Sequence, residues 1–306
     1  MITVRSLEDI AETMEGQPLA LVDGLVDFAA TTIIGPANAG KSMLVSSLAS
    51  ALASGEPTWL DRPIFNPSRR RVVIFTTDPR EDRRYAARRG DAGPIFAAPL
   101  FGDWSWSAVR DVVTEYRFDV AIFDNALGLV GSRGGDMNKP ADVRSLATDR
   151  LDELAHLDVV PVLMSHTSKP GPGGIGAKTA TGSLAWTAWA RSTLRLEKLG
   201  SGTHRLNIES RDFGDSTINL SLAVDKRGTP SWTVDGVVER KAKQRAQETH
   251  ERHREAANYL IAAGLAKATA SEQAKALATK FDGTADSWRT NKLGRGKPVR
   301  LLLDAA

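Results

Sequence analysis

Lys41 and Ser42 close the octapeptide GPANAGKS, which runs from Gly35 to Ser42. It fits the spacing Gly-x-x-x-x-Gly-Lys-Ser/Thr. Backbone N–H groups of such a loop point inward and, with the start of the following helix, bind phosphate oxygens. Gly35, Asn38, Ala39 and Gly40 would form the wrap, with Gly40 allowing close backbone approach. Lys41 would reach the β and γ phosphates, and the Ser42 hydroxyl would complete a Mg²⁺ shell. The pattern asks for a nucleoside triphosphate with Mg²⁺; it does not choose between adenine and guanine.

Two carboxylates complete the chemistry. A magnesium ion held partly by water needs a carboxylate to orient that water, and DVAIFDN places Asp124 after an apolar run. An attacking water needs a base or an orienting group. Asp78, closing VVIFTTD, stands at the tip of the strand that follows the loop's helix. The plain alternative for either residue is an Asp that caps a turn.

These residues need elements to position them. Residues 18–34 read as a short approach and a buried strand ending at Ile34. KSMLVSSLASALA, residues 41–53, reads as a helix stopped at Gly55. RRVVIFTTD, FDVAIFDN and DVVPVLMSH read as further strands with continuous apolar centres, as strands buried on both faces have. DPREDRRYAARRG is a charged helix or loop. SWSAVRDVVTEYR and ADVRSLATDRLDELAHL carry helical apolar periods. STLRLEKL, THRLNIES and TINLSLAVD follow as short strands. The pattern predicts an α/β core with a mostly parallel sheet and an antiparallel edge.

Two glycine-rich stretches, 128–140 and 169–182, follow the third and fourth strands. Both read as loops beyond carboxyl strand ends, where α/β sheets carry ligands. They hold Arg133, Lys139, Lys169 and Lys178. Few aromatics interleave, so base stacking is not evident, and any contact of these residues with nucleic acid would run through its backbone; mobile surface loops are the alternative.

Composition bounds the rest. The 306 residues include no cysteine, which excludes disulfides and thiolate chemistry. The N-terminus has no secretory pattern, and no apolar run approaches the ~20 residues of a membrane span. A cytoplasmic protein without membrane partners is expected. From Glu239 onward there are 14 basic and 8 acidic residues, although the whole chain is only +3. A domain boundary is placed there, giving 1–239 and 240–306. The second part reads as three helices and a terminal strand, a winged-helix or helix-turn-helix pattern. Its recognition helix would carry Trp288, Arg289 and Lys292, with Arg295 and Lys297 flanking the wing. Such units bind either DNA or protein.

The ordered set TTIIGPANAGKS, FDVAIFDN, VVPVLMSHTSK, TGSLAWTAWARSTLRLEK and IESRDFG resembles the RecA-like ATPases of the RepA/DnaB replicative-helicase group, especially the plasmid and phage RepA-type branch. The resemblance covers roughly residues 18–225. It implies ATP as the nucleotide, a homo-oligomeric ring (a hexamer) or a filament with ATP between subunits, single-stranded DNA as substrate, replication proteins as partners and a bacterial setting. It makes Asp124 the Walker B acid and places His166 where the γ-phosphate or DNA state is sensed. Arg211 falls at the arginine-finger position.

Two departures stand out. Thr77 occupies the usual place of the catalytic Glu, and Glu209 replaces a Lys two residues before Arg211. Either Asp78 substitutes from one position on, or hydrolysis is slow. The second case describes a nucleotide-switched loader or regulator instead of a helicase.

Overall fold

The computed structural model describes residues 6–9, 18–132, 134–167, 185–239 and 253–281, with Ala285, Trp288, Leu293, Val299 and Leu303. The chain divides into two compact units, Met1–Glu239 and Arg240–Ala306.

The first unit opens with a short antiparallel pair, β1 (Ala20–Val22) and β2 (Val26–Asp27). The phosphate-loop strand β3 (Thr31–Gly35) and helix α1 (Lys41–Ser54) follow. A small hairpin, β4 (Thr58–Trp59) and β5 (Arg62–Pro63), leads to β6 (Val72–Thr76) and α2 (Glu81–Arg88). Next come β7 (Ile95–Pro99), α3 (Trp106–Glu115), β8 (Val120–Asp124) and α4 (Ala126–Gly131). Helix α5 (Pro140–Leu146) continues through a π-helical turn (Ala147–Leu151) into α6 (Asp152–His156), which feeds β9 (Val160–His166). After α7 (Ala185–Trp189), four strands follow: β10 (Ser192–Lys198), β11 (Thr203–Ser210), β12 (Ser216–Val224) and β13 (Pro230–Glu239).

Among the described residues, nine of these strands form one sheet in the order β13-β12-β11-β10-β3-β9-β8-β6-β7. From β10 to β7 every neighbour pair is parallel; β10 through β13 pair antiparallel. β9 lies between the phosphate-loop strand and β8, so the sheet has the RecA-like arrangement, with a mostly parallel core and an antiparallel edge.

Alternation along the central strands fills both faces. Ile33, Val72, Ile74, Ile122 and Val162 pack with Leu44, Leu48 and Leu52 of α1. Ile34, Val73, Phe75, Phe123 and Leu163 face the α3–α6 side, against Val109, Val113 and Leu151. Each such buried side chain contributes roughly 1.5–3 kcal/mol. The Phe75 and Phe123 rings stack at 5.0 Å across the paired strands β6 and β8. α1 stops where Gly55, at φ 73°, sends its N–H back to Ala51 and Leu52.

The sequence reading needs correction at several elements; in the second unit Val299 and Leu303 are helical where a terminal strand is expected. β7 was missed because IFAAP is a partly exposed edge strand closed by proline. β13 was missed because Gly236 and exposed positions interrupt its pattern. Residues 128–131, read as loop, are the last four of the six residues of α4, whose N-cap is the Asn125 side chain accepting from Gly128 N–H at 3.0 Å.

In the second unit, a helix over 253–262 and α9 (Ala270–Lys280) share a core of Ala256, Leu260, Ala274 and Leu277 with Trp288, Leu293 and Val299. We denote the 253–262 helix α8. Thr269 and Glu272 form a capping box at the start of α9. Arg289, Lys292, Arg295 and Lys297 lie outside the described residues, as do Arg133, Lys169 and Lys178. Among the described residues, no helix is long and apolar enough to cross a membrane.

Candidate functional site

Gly35 is the last residue of β3, and its register partner on β9 is His166. A side chain at Gly35 is excluded, because a Cβ there would lie 2.5 Å from the Leu196 carbonyl oxygen on β10. Gly40 takes φ 93° as the N-cap of α1, conformational territory that favours glycine. No side chain caps this helix, and its first turn holds no acidic residue. Its first N–H groups therefore stay available to an anion, supported by the helix dipole. His204 and Trp232, from β11 and β13, pack beneath Gly40. Ala39 is buried, whereas Asn38 is exposed with φ 62°.

Lys41 folds back over the loop. Its Nζ donates to the carbonyls of Gly35 at 2.9 Å and Pro36 at 3.0 Å, and lies 3.2 Å from His166 Nδ1. Burial lowers the Lys41 pKa to about 8, against the opposing pull of Asp124. Burial also lowers the His166 pKa, assisted by the Lys41 charge and opposed by Asp78. An ammonium can only donate, so Nδ1 accepts and a neutral His166 carries its proton on Nε2.

The carboxylate side is built by β6, β8 and α2. Thr76 and Asp124 are register partners at the ends of their strands. Asp124 is 7% exposed, and burial pushes its carboxyl up to about 6; the charges of Glu81 and Asp78 add to this, while the Tyr85 hydrogen bond and Lys41 oppose it. Tyr85 donates from its hydroxyl to Asp124 Oδ2 at 2.7 Å. Glu81, nearly buried, pairs with Arg84 at 2.9 Å and Arg88 at 3.3 Å.

β6 ends at Thr76, before the positions in question. Asp78 therefore escapes the strand's alternation, and its carboxylate accepts from Asn125 Nδ2 at 3.1 Å. Its charge acts on both Asp124 and His166, so it belongs to the same site. Thr77 serves the backbone instead. Its Oγ1 lies 3.3 Å from the Asp124 carbonyl oxygen and accepts from Asn125 N–H at 3.1 Å.

Lys41, Ser42, Asp78, Asp124 and His166 thus converge at the carboxyl end of the sheet. Arg211 does not join them. It follows β11, whose Ser210 pairs with Ser192, the residue beside Thr31 at the start of β3. Its guanidinium donates to the Ala188 carbonyl. Arg211 and the phosphate loop are separated by the length of β3, roughly 13 Å for four steps along a strand. Lys139, the N-cap of α5, is exposed. Sequence reasoning passed over Tyr85, Glu81 and Asn125. The i, i+4 spacing of Glu81 and Tyr85 in a segment otherwise rich in Arg was the available signal, since it puts both on one helix face.

No curated protein matches the chain. Among solved structures, a KaiC-like protein from the hyperthermophilic archaeon Pyrococcus horikoshii OT3 is similar at 14% identity, over 71% of this chain and 94% of that one, with a TM-score of 0.48. Residues 7–172, which hold the phosphate loop, Asp78, Asp124 and His166, match the AAA domain family. The match takes in more than half of the sequence, and the chain belongs to the AAA domain family as an ATP-binding protein with a RecA-like core.

Proposed function

We propose that this protein is a ring-forming ATPase of RepA/DnaB type that acts on single-stranded DNA in replication. The observation carrying this reading is the placement of Arg211 at the opposite end of the sheet from its own phosphate loop. An arginine so placed would meet ATP only in a second copy of the chain, and a repeated head-to-tail contact of that kind gives a ring where the rotation closes and an open filament where it does not.

The site suits Mg²⁺-ATP. The uncapped start of α1 and the glycine-lined loop fit phosphate. Among the described residues, no cluster of three His, Asp or Glu side chains could cage a metal. That fits Mg²⁺, which keeps several waters and binds through phosphates and one or two protein oxygens. Ser42 and Asp124 would hold it, and the ion would neutralise charge on the transferring phosphoryl group. Lys41 would exchange its carbonyl partners for phosphate oxygens. That exchange frees His166 Nδ1, so His166 can register whether the triphosphate is present. Asp78 would orient the attacking water, and Arg211 of an adjoining copy would stabilise the transition-state charge.

Lys139 and the basic residues of 240–306 are proposed to contact the nucleic-acid backbone. One observation favours a second reading, a nucleotide-switched loader with little hydrolysis: Thr77, at the usual position of the catalytic Glu, spends its hydroxyl on backbone groups. Measuring ATP hydrolysis with and without single-stranded DNA, alongside assembly mass with and without ATP, separates the two. DNA-stimulated turnover by a nucleotide-dependent assembly supports the helicase-type reading; assembly without turnover supports the loader. A monomer indifferent to ATP and DNA would overturn both.

A further inference from the structure

We propose that Tyr85 is a positioning residue for the magnesium end of the site, fixing Asp124 so that a hydrated Mg²⁺ can be held between nucleotide and protein. The proposal rests on the nucleotide reading above.

Three features of the structure carry it. First, the Tyr85 hydroxyl donates at 2.7 Å to Oδ2 of Asp124, one of the two residues that would hold the ion. Met164 sulfur lies 3.6 Å from the same hydroxyl. One oxygen of Asp124 is thereby committed and the side chain's rotation is fixed, which leaves Oδ1 to accept from a metal-bound water. Second, the hydroxyl is delivered from a rigid base. Tyr85 is 4% exposed, and Glu81, one turn earlier, ion-pairs with both Arg84 and Arg88. The Arg88 guanidinium lies 5.9 Å from the Tyr85 ring centroid. Third, a buried carboxylate needs its hydrogen bonds satisfied. Tyr85 supplies one from a neutral donor, without the repulsion that a second cation beside Lys41 would bring to the metal.

Groups that orient metal ligands are worth tenfold or more in metal affinity when removed, even though they never touch the ion. A tyrosine that only packs would be replaced by phenylalanine without such a loss.

The test is calorimetric titration of Mg²⁺ into the full chain saturated with ADP, for wild type and Tyr85→Phe, with ADP affinity also measured in EDTA. The expected result is ADP affinity in EDTA within about twofold of wild type and Mg²⁺ affinity weakened about tenfold or more. Combining Tyr85→Phe with Asp124→Ala should weaken Mg²⁺ no further than Asp124→Ala alone. Equal Mg²⁺ affinity in wild type and Tyr85→Phe would overturn the proposal. If Tyr85→Phe does not fold, fluorotyrosine labelling of the wild type reads the same contact. The chain has three tyrosines, and Tyr116→Phe and Tyr259→Phe identify the remaining fluorine resonance. That resonance should move when Mg²⁺ is added to the ADP complex in EDTA-free buffer, and a fixed resonance would overturn the proposal. Absence of any ADP binding by wild type would overturn the nucleotide reading and this inference with it.

Discussion

Lys41 Nζ lies 3.2 Å from His166 Nδ1, joining the two strands at the heart of the sheet through the residue that would grip phosphate. In this state Lys41 gives its protons to two carbonyls and one imidazole, and it is desolvated enough for its pKa to fall to about 8. Removing it relieves a buried charge and leaves the apolar clusters intact. Lys41→Ala should lose tight ATP binding, because a charge-assisted phosphate contact is gone. Its Tm should stay within about 4 °C of wild type, roughly 1 kcal/mol for a domain of this size. Equilibrium ATP binding and thermal melting check both parts, and wild-type ATP affinity in the variant would remove Lys41 from the phosphate site.

Nucleotide binding should depend on pH from both sides. Burial disfavours the charged form of Asp124 and raises its pKa to about 6. Its carboxylate must be ionised to attract a hydrated Mg²⁺, so Mg²⁺ affinity should fall as pH drops below about 6, with a proton released on binding. Lys41 is lowered to about 8 by burial. Phosphate favours its charged form, so ADP affinity should fall as pH rises above about 8, with a proton taken up on binding. Lys41→Arg, which stays charged, should flatten the alkaline limb. Asp124→Asn should flatten the acid limb of Mg²⁺ affinity beyond the nucleotide's own titration. A flat Mg²⁺ affinity in wild type from pH 5 to pH 7 would contradict this placement of Asp124.

Asp78 and Thr77 have separable roles. Asp78 is bonded to Asn125 and acts electrostatically on Asp124 and His166. Asp78→Asn keeps a hydrogen-bonding group of the same shape and removes the carboxylate. ATP binding should persist while hydrolysis falls by about 100-fold or more, the usual scale for losing a base. Thr77 is different. It accepts from Asn125 N–H, and the Gly128 backbone abuts it so closely that a Cβ on Gly128 would meet Thr77 Oγ1 at 2.0 Å. From sequence, a glutamate at this position would be expected to raise the rate. The packing predicts instead that Thr77→Glu lowers Tm by displacing α4 from its seat. A faster enzyme of unchanged Tm would show that the slot can open.

The parts of the site that were legible in the sequence are those fixed by short-range chemistry. GPANAGKS between a strand and a helix needs no tertiary information, because its glycines, lysine and serine are set by the loop itself. Asp124 was legible because a fully apolar run must end where the chain leaves the sheet. The position of Asp78 depended on β6 stopping at Thr76, two residues earlier than the pattern RRVVIFTTD suggests, a matter of strand length that local pattern leaves open. The role of Tyr85 was harder to read for another reason, since helix spacing gives its face and not its partner. Its partner is 39 residues away, and only the register of β6 against β8 brings α2 over Asp124. The edge strands β7 and β13 escaped because a half-covered edge tolerates proline and glycine.

A chain ending at residue 239 should fold and bind ATP. The nine-stranded sheet and both of its apolar faces lie within Met1–Glu239, and the second unit has its own core. The truncated chain should bind single-stranded DNA more weakly, with a shallower dependence on salt, since the basic residues after Glu239 no longer displace counterions. Unchanged DNA affinity and salt slope would assign 240–306 to protein contacts.

The last expectation concerns assembly. Arg211 lies at the amino end of β3 and Lys41 at its carboxyl end, so neither can serve the other's site within one chain. Arg211→Ala should leave ATP binding by isolated subunits intact, because nothing near the phosphate loop changes. It should slow hydrolysis by orders of magnitude if the arginine stabilises phosphoryl charge in a neighbour. Lys41→Ala should be inactive for the opposite reason, as its own loop holds no ATP while its arginine is sound. Mixed in one assembly, the two variants create a fraction of interfaces that pair an intact loop with an intact arginine. Hydrolysis by the mixture should therefore exceed that of either variant alone. It should follow the fraction of such interfaces as the mixing ratio is varied, peaking near equal amounts. Mass measurement must first show that mixed assemblies form. If they form and the rate never rises above the two parents, Arg211 does not act across a subunit interface, and the ring loses its main support.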